Sequence, residues 1–132
     1  MQLLDHVSIA VRDLARAKPF YRAVMAALDA REAYDEPGAI GFGARNAAGD
    51  DAHSYLSVFE SADAQASARR HVCFRAANAS QVRAAHAAGL RAGGTSDGAP
   101  GLRPHYHAAY YAAFLLDPES NRVEVVTHRG GG

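Results

Sequence analysis

One pattern occurs twice in this chain. Asp5-His6-Val7 and Arg70-His71-Val72 each open a strand-like run, and each stands the same distance before a residue suited to cap a helix, Asp13 and Asn78, with an offset of 65 residues. A unit used twice within 132 residues leaves room for two small modules and excludes a larger multi-domain arrangement.

Between Leu3 and Val11, the residues Val7, Ile9 and Val11 fall on one face and His6, Ser8 and Ala10 on the other, the alternation of a half-buried strand. After Asp13, the residues Leu14, Phe20, Tyr21, Val24, Met25 and Leu28 recur near helical spacing, which predicts a helix to about Leu28. Pro19 lacks an N–H, so an irregular first turn is expected, with the regular helix beginning close to Lys18. Strands are expected at 31–34, 39–44 and 54–60, separated by Pro37-Gly38 and the polar loop 46–51. Ser61 to Arg69 is small and polar and reads as a linker.

The order then repeats. A strand over 70–74 precedes the Asn78 cap, a helix over Val82 to Ala88 closed by Gly89, a glycine- and proline-rich loop over 93–103, and strands at 110–116 and 122–127. The expected class is α+β: one domain over 1–132, with module one at about 1–60 and module two at about 70–128. If each sheet buries one face on its own helix, the other faces are free to build a concave cup, where a ligand would sit.

Fourteen basic residues balance fourteen acidic ones, so no net field steers the chain to nucleic acid or an anionic membrane, and a small molecule is the expected partner. The start Met-Gln-Leu-Leu-Asp-His has no basic region followed by a long apolar run, and a cytoplasmic place without membrane contact is expected. The single cysteine, Cys73, excludes an internal disulfide, fits a reducing compartment and reads as a small core hydrophobe.

Asp5-His6-Val7-Ser8-Ile9-Ala10-Val11-Arg12-Asp13-Leu14 with Phe20-Tyr21 resembles the opening of a domain of the vicinal oxygen chelate superfamily, the glyoxalase/bleomycin-resistance/dioxygenase type. The tail from Ala113 through Asp117-Pro118-Glu119-Ser120-Asn121 to Glu124 resembles its closing strand, turn and strand, with Ser120 where glycine is usual. The resemblance implies paired βαβββ modules, a metal in the cup and a homodimer. It names no reaction, because the superfamily includes isomerases, epimerases, dioxygenases, thiol transferases and metal-free antibiotic-binding proteins.

At positions matching the family, His6, His71 and Glu124 form a candidate metal set, each flanked by apolar residues of the opposite strand face. Two imidazoles and a carboxylate leave open positions for substrate oxygens and admit Zn, Ni, Mn, Fe or Co. A fourth ligand is expected at the counterpart of Glu124, where Ser57 stands; a serine is a poor ligand there, and this argues against lactoylglutathione lyase activity. His53 and Glu60 are nearby in sequence, Glu60 on the opposite face from Ser57. Arg103, His105, Tyr106, His107 and Tyr110 form a candidate substrate-side lip with Ser57 and Phe114, and Arg75 shares the His71 face.

The leading expectation is a metal-dependent, glyoxalase-like lyase or isomerase acting on a small oxygen-bearing metabolite, with its base unassigned. The rival is a metal-free dimeric protein that binds a small molecule or antibiotic. Ring cleavage of catechols is not expected, because Phe114 stands where extradiol enzymes carry a tyrosine and Tyr110 lies too far along the same strand to substitute.

Overall fold

The repeated unit folds as β-α-β-β-β in both halves of the computed structural model, which describes residues 2–67 and 69–132. Module one comprises β1 (His6–Val11), α1 (Leu14–Ala27), β2 (Glu32–Glu36), β3 (Ala39–Gly43) and β4 (Tyr55–Glu60). Module two comprises β5 (His71–Arg75), α2 (Ala79–Arg91), β6 (Thr95–Leu102), β7 (Tyr111–Leu116) and β8 (Arg122–Thr127). Each makes its own four-stranded sheet, β1-β4-β3-β2 and β5-β8-β7-β6. The first and last strands of each module pair in parallel and the other neighbours pair antiparallel.

Alternation decides which face of each strand is covered. Ile9 and Val11 of β1, Ile40 and Phe42 of β3, Leu56 and Val58 of β4, and Val123 and Val125 of β8 point to the helices. They join Leu14, Phe20, Tyr21, Val24 and Met25 of α1 and Val82 and Ala85 of α2 in one continuous core. The opposite face of each sheet is left uncovered by helices. No helix among the described residues is long and apolar enough to cross a membrane.

Both caps form as their sequences suggest: Asp13 accepts from the Arg16 N–H at 3.2 Å and Asn78 from that of Gln81 at 2.9 Å. Three expectations are corrected. Helix α1 is continuous from Leu14 through Pro19, because the carbonyl that proline cannot engage, that of Ala15, belongs to an exposed residue and can be hydrated. Helix α2 does not stop at Gly89; a Cβ there would stand 2.7 Å from Leu115 Cδ1 and 3.1 Å from Phe20 Cε1, so this glycine lets α2 approach α1 and β7. The segment read as a loop over 93–103 contains β6, whose register shifts and Pro100 are tolerated because it is an edge strand.

The Asp-Pro turn ties the two modules together. Asp117 accepts from the buried Tyr21 hydroxyl at 2.6 Å and from the Glu119 and Asn121 N–H groups, both at 2.8 Å. Glu119 accepts from the Arg12 and Asp13 N–H groups, both at 2.7 Å, at the start of α1. Ser120 takes the left-handed φ of 71° that glycine would take, so the turn keeps its shape without it.

Candidate functional site

Equivalent residues occupy the open faces of the two sheets. In the parallel pairs, His6 faces Tyr55 and Ser8 faces Ser57, as His71 faces Arg122 and Cys73 faces Glu124. Strand for strand, His6 therefore corresponds to His71 and Ser57 to Glu124.

In module two these positions converge. Glu124 is only 3% exposed, its Oε1 lies 3.0 Å from His71 Nε2, and its Oε2 accepts from the Tyr110 hydroxyl at 2.5 Å. Desolvation, then the bond to Glu124 and its charge, push the Tyr110 hydroxyl well above the usual phenol range. Cys73 is not the core residue its strand position suggested. It lies on the open face beside Glu124 and keeps an exposed flank, yet desolvation of its sulfur followed by the Glu124 charge pushes the thiol up to about 12. It is therefore a protonated donor rather than a nucleophile.

Tyr110 also corrects the argument against ring cleavage. It precedes β7 instead of lying on it, and its side chain folds back over the face to reach Glu124, the register partner of Phe114. A tyrosine hydroxyl does stand beside the candidate ligand, so Phe114 alone excludes nothing.

In module one the same positions are engaged differently. His6 Nδ1 lies 2.7 Å from Asp5 Oδ2, and its ring stacks on Tyr55 with centroids 4.9 Å apart. The hydrogen bond from His6, then that from Asn46, holds the Asp5 carboxyl below its ordinary value. Tyr34 donates to Ser57 Oγ at 2.6 Å by lying across Gly41, where any Cβ would run into its ring. Arg45 covers both tyrosines, 4.5 Å from the Tyr34 centroid and 5.2 Å from that of Tyr55. Within one chain His6 does not join His71 and Glu124: among the described residues no three His, Cys, Asp or Glu side chains are placed to share an ion.

The lip closes over module two. Phe114 is buried on the open face with Ala112, Val126 and part of Tyr110. Its ring has Arg122 at 4.2 Å, Arg103 at 5.8 Å and His71 at 6.1 Å. His105 packs on Tyr106 and Tyr106 on Tyr110, with centroids 4.2 and 4.8 Å apart. His107 meets His128 through ring nitrogens at 2.9 Å. Arg75 lies exposed on the same open face, whereas His53 turns to Asp50 at 3.1 Å and Glu60 ends β4 on the helix-side register.

Tyr34, Arg45 and His128 were missed by sequence reasoning. Gly41 is the one local signal for Tyr34, since a glycine inside a strand marks close approach by another group.

The unpaired edges of β1 and β5 flank a cleft of about 400 Å³ lined by Ser8, Ala10, Phe59, Arg70, His71 and Arg122. A hollow of about 470 Å³ between α1 and β2 offers no comparable chemistry, because its Arg22 and Glu32 already pair at 2.7 Å. Imidazole and carboxylate in contact above an apolar floor can hold a cation or orient a polar ligand.

Comparison with known proteins fits this architecture. A glyoxalase/bleomycin resistance protein from Albidiferax ferrireducens T118 is 24% identical, with 93% of this chain and 96% of that one covered and a TM-score of 0.77. Fosfomycin resistance protein FosX from Mesorhizobium loti is 23% identical over 96% and 92% of the two chains, with a TM-score of 0.61. Lactoylglutathione lyase from Agrobacterium tumefaciens is 19% identical over 96% and 93%, with a TM-score of 0.62. A search of curated proteins gave no match. The family model matches residues 3–125, and the chain belongs to the Glyoxalase/Bleomycin resistance protein/Dioxygenase superfamily.

Proposed function

We propose that this chain is a divalent-metal-dependent, glyoxalase-like lyase or isomerase of the cytoplasm that acts on a small oxygen-bearing metabolite. The observation that carries the reading is the contact of His71 Nε2 with Glu124 Oε1 at 3.0 Å on an otherwise apolar floor. Those two donors suit a borderline divalent ion, and His6, on the equivalent strand of module one, would complete the set from a second copy of the chain. The unpaired edges of β1 and β5 and the exposed Leu3, Leu4 and Phe59 favour such a homodimer. A solved FosX complex contains Mn(II) and a dihydroxypropylphosphonic acid, which supports a metal role in this fold.

A bound ion would supply Lewis acidity toward a carbonyl or enolate oxygen. Tyr110 would orient the Glu124 carboxylate, as an outer partner does for a ligand. Phe114, Ala112 and Val126 would exclude water from the reacting face, and the Tyr34–Ser57 pair would offer a neutral hydroxyl where relatives of glyoxalase I type place a carboxylate. The base is unassigned among these groups, and Zn, Ni, Mn, Fe and Co all fit the donor chemistry.

The test is metal content and sedimentation of protein purified without chelator or affinity tag, followed by equilibrium dialysis against Mn²⁺. A dimer with bound metal is expected, and His6→Ala, His71→Ala and Glu124→Gln should each lower affinity far more than stability. Mixed dimers of His6→Ala and Glu124→Gln chains should regain binding, because one of their two sites keeps all three donors. A monomer, or wild-type protein without metal affinity, would sink the reading. A metal-free small-molecule binder would then stand in its place, which the existing donors on both Glu124 oxygens already favour.

A further inference from the structure

Arg103 is seated where an ordinary strand has no room for it. A Cβ at Gly98 would stand 3.3 Å from its Nη2 and one at Gly101 3.1 Å from its Nη1, so two glycines of β6 leave a trough that the guanidinium fills. There Nη2 donates to the Ala99 carbonyl at 2.8 Å and Nη1 to the Gly101 carbonyl at 3.0 Å. The group is thereby held beside the Phe114 ring, on the face that carries His71 and Glu124.

The charge on this guanidinium is not matched. Arg122 flanks the same ring but pairs with Asp97 at 2.8 Å. No carboxylate among the described residues lies within ion-pair distance of Arg103. Two carbonyls fix its plane and neutralise nothing, and its other N–H groups remain for a ligand. A guanidinium fixed in plane suits forked recognition of an oxyanion.

We propose that the substrate of this site carries an oxyanion, a carboxylate or a phosphonate or phosphate, and that Arg103 anchors it. Only the placement of the reactive end, toward His71 and Glu124, rests on the function proposed above. The bland alternative is a brace for the lip, since the Arg103 backbone also donates to the Tyr110 carbonyl at 2.7 Å and accepts from the Tyr106 N–H at 3.0 Å. A brace is indifferent to anions.

The experiment follows the arginine Nε–Hε resonances of ¹⁵N-labelled full-length protein, metal-free and Zn²⁺-loaded, during titration with methylphosphonate, propionate and neutral propionamide. Methylphosphonate or propionate should shift the Arg103 resonance saturably, their relative affinities telling tetrahedral from planar recognition, while propionamide leaves it unmoved. Arg103→Gln should weaken the binding about tenfold or more, the loss expected for a hydrogen bond between charged groups. Arg103→Lys and Gly101→Ala should weaken it as well, the first by keeping charge without the fork, the second by displacing the fork with the charge intact. These two variants carry the test if Arg103→Gln fails to fold. Equal affinity in the variants, shifts confined to other arginines, or no saturable binding of either anion in both metal states would overturn the proposal. Anion binding without Zn²⁺ affinity would reject the metal reading and leave this one standing; Zn²⁺ affinity without an anion response would do the reverse.

Discussion

Tyr110→Phe asks whether the carboxylate on the floor of module two is held as a charge. Glu124 is 3% exposed, with His71 on Oε1 at 3.0 Å and the Tyr110 hydroxyl on Oε2 at 2.5 Å. Without that hydroxyl, the carboxylate keeps His71 and the neighbouring Cys73, whose thiol is a weak donor. Hydrogen bonds to charged groups contribute roughly 1.5–3 kcal/mol. Tyr110 is half-buried and the face is open on one side, so water enters part of the vacated space and the loss falls in the lower part of that range, about 1.5–2 kcal/mol. For a chain of this length that corresponds to a fall in Tm of about 5–7 °C. Urea denaturation and scanning calorimetry near neutral pH, with chelator present, measure it. On a Glu124→Gln background, where the acceptor is neutral, the loss should shrink to about 0.5–1 kcal/mol. A Tyr110→Phe protein with the midpoint and slope of the wild type would refute the reasoning.

Gly89→Ala should destabilise, although helix preference alone would stabilise by about 1 kcal/mol; the new Cβ would stand 2.7 Å from Leu115 Cδ1, and overpacking costs about 1–3 kcal/mol. A raised denaturation midpoint would contradict that packing. The Tyr21 hydroxyl is pushed well above the ordinary phenol value by burial, then by Asp117 and Glu119. Its folded value exceeds its unfolded one, so its contribution is complete below about pH 10 and is lost as pH rises further, at up to about 1.4 kcal/mol per pH unit. Tyr21→Phe should flatten this alkaline loss in denaturation midpoints measured against pH, and an unchanged slope would count against the assignment.

What the sequence made legible was what local pattern encodes. The faces of β1, the Asn78 cap and the equivalence of His6 with His71 follow from alternation and spacing, and matching Leu56-Ser57-Val58 with Val123-Glu124-Val125 pairs Ser57 with Glu124, as the parallel registers of the two modules do. What stayed hidden depends on chain segments meeting across a face. Gly89 carries the local sign of a helix stop, yet it is conditioned by Leu115 and Phe20 from two other elements. Strand β6 has no alternation because two of its glycines make room for Arg103, and Tyr110 looked remote because strand rise was applied to a residue that precedes its strand.

The same distinction explains how one unit used twice acquires two chemistries. Each module places a tyrosine hydroxyl on the same strand position, Tyr34 on Ser57 at 2.6 Å and Tyr110 on Glu124 at 2.5 Å, although one tyrosine comes from β2 and the other from the lip. Local pattern reproduces the strands and the position. The side chain at that position and the direction from which its partner arrives give module one a hydroxyl pair there and module two a carboxylate held by a hydroxyl. Pairing module two with module two would crowd two Glu124 carboxylates into one site, and pairing module one with module one would bring two imidazoles together with no Glu124. Pairing unlike faces would bring His6 to His71 and Glu124 with one Glu124 in each site, so the proposed cup, module one of one copy against module two of another, suits these residues better than pairing like with like.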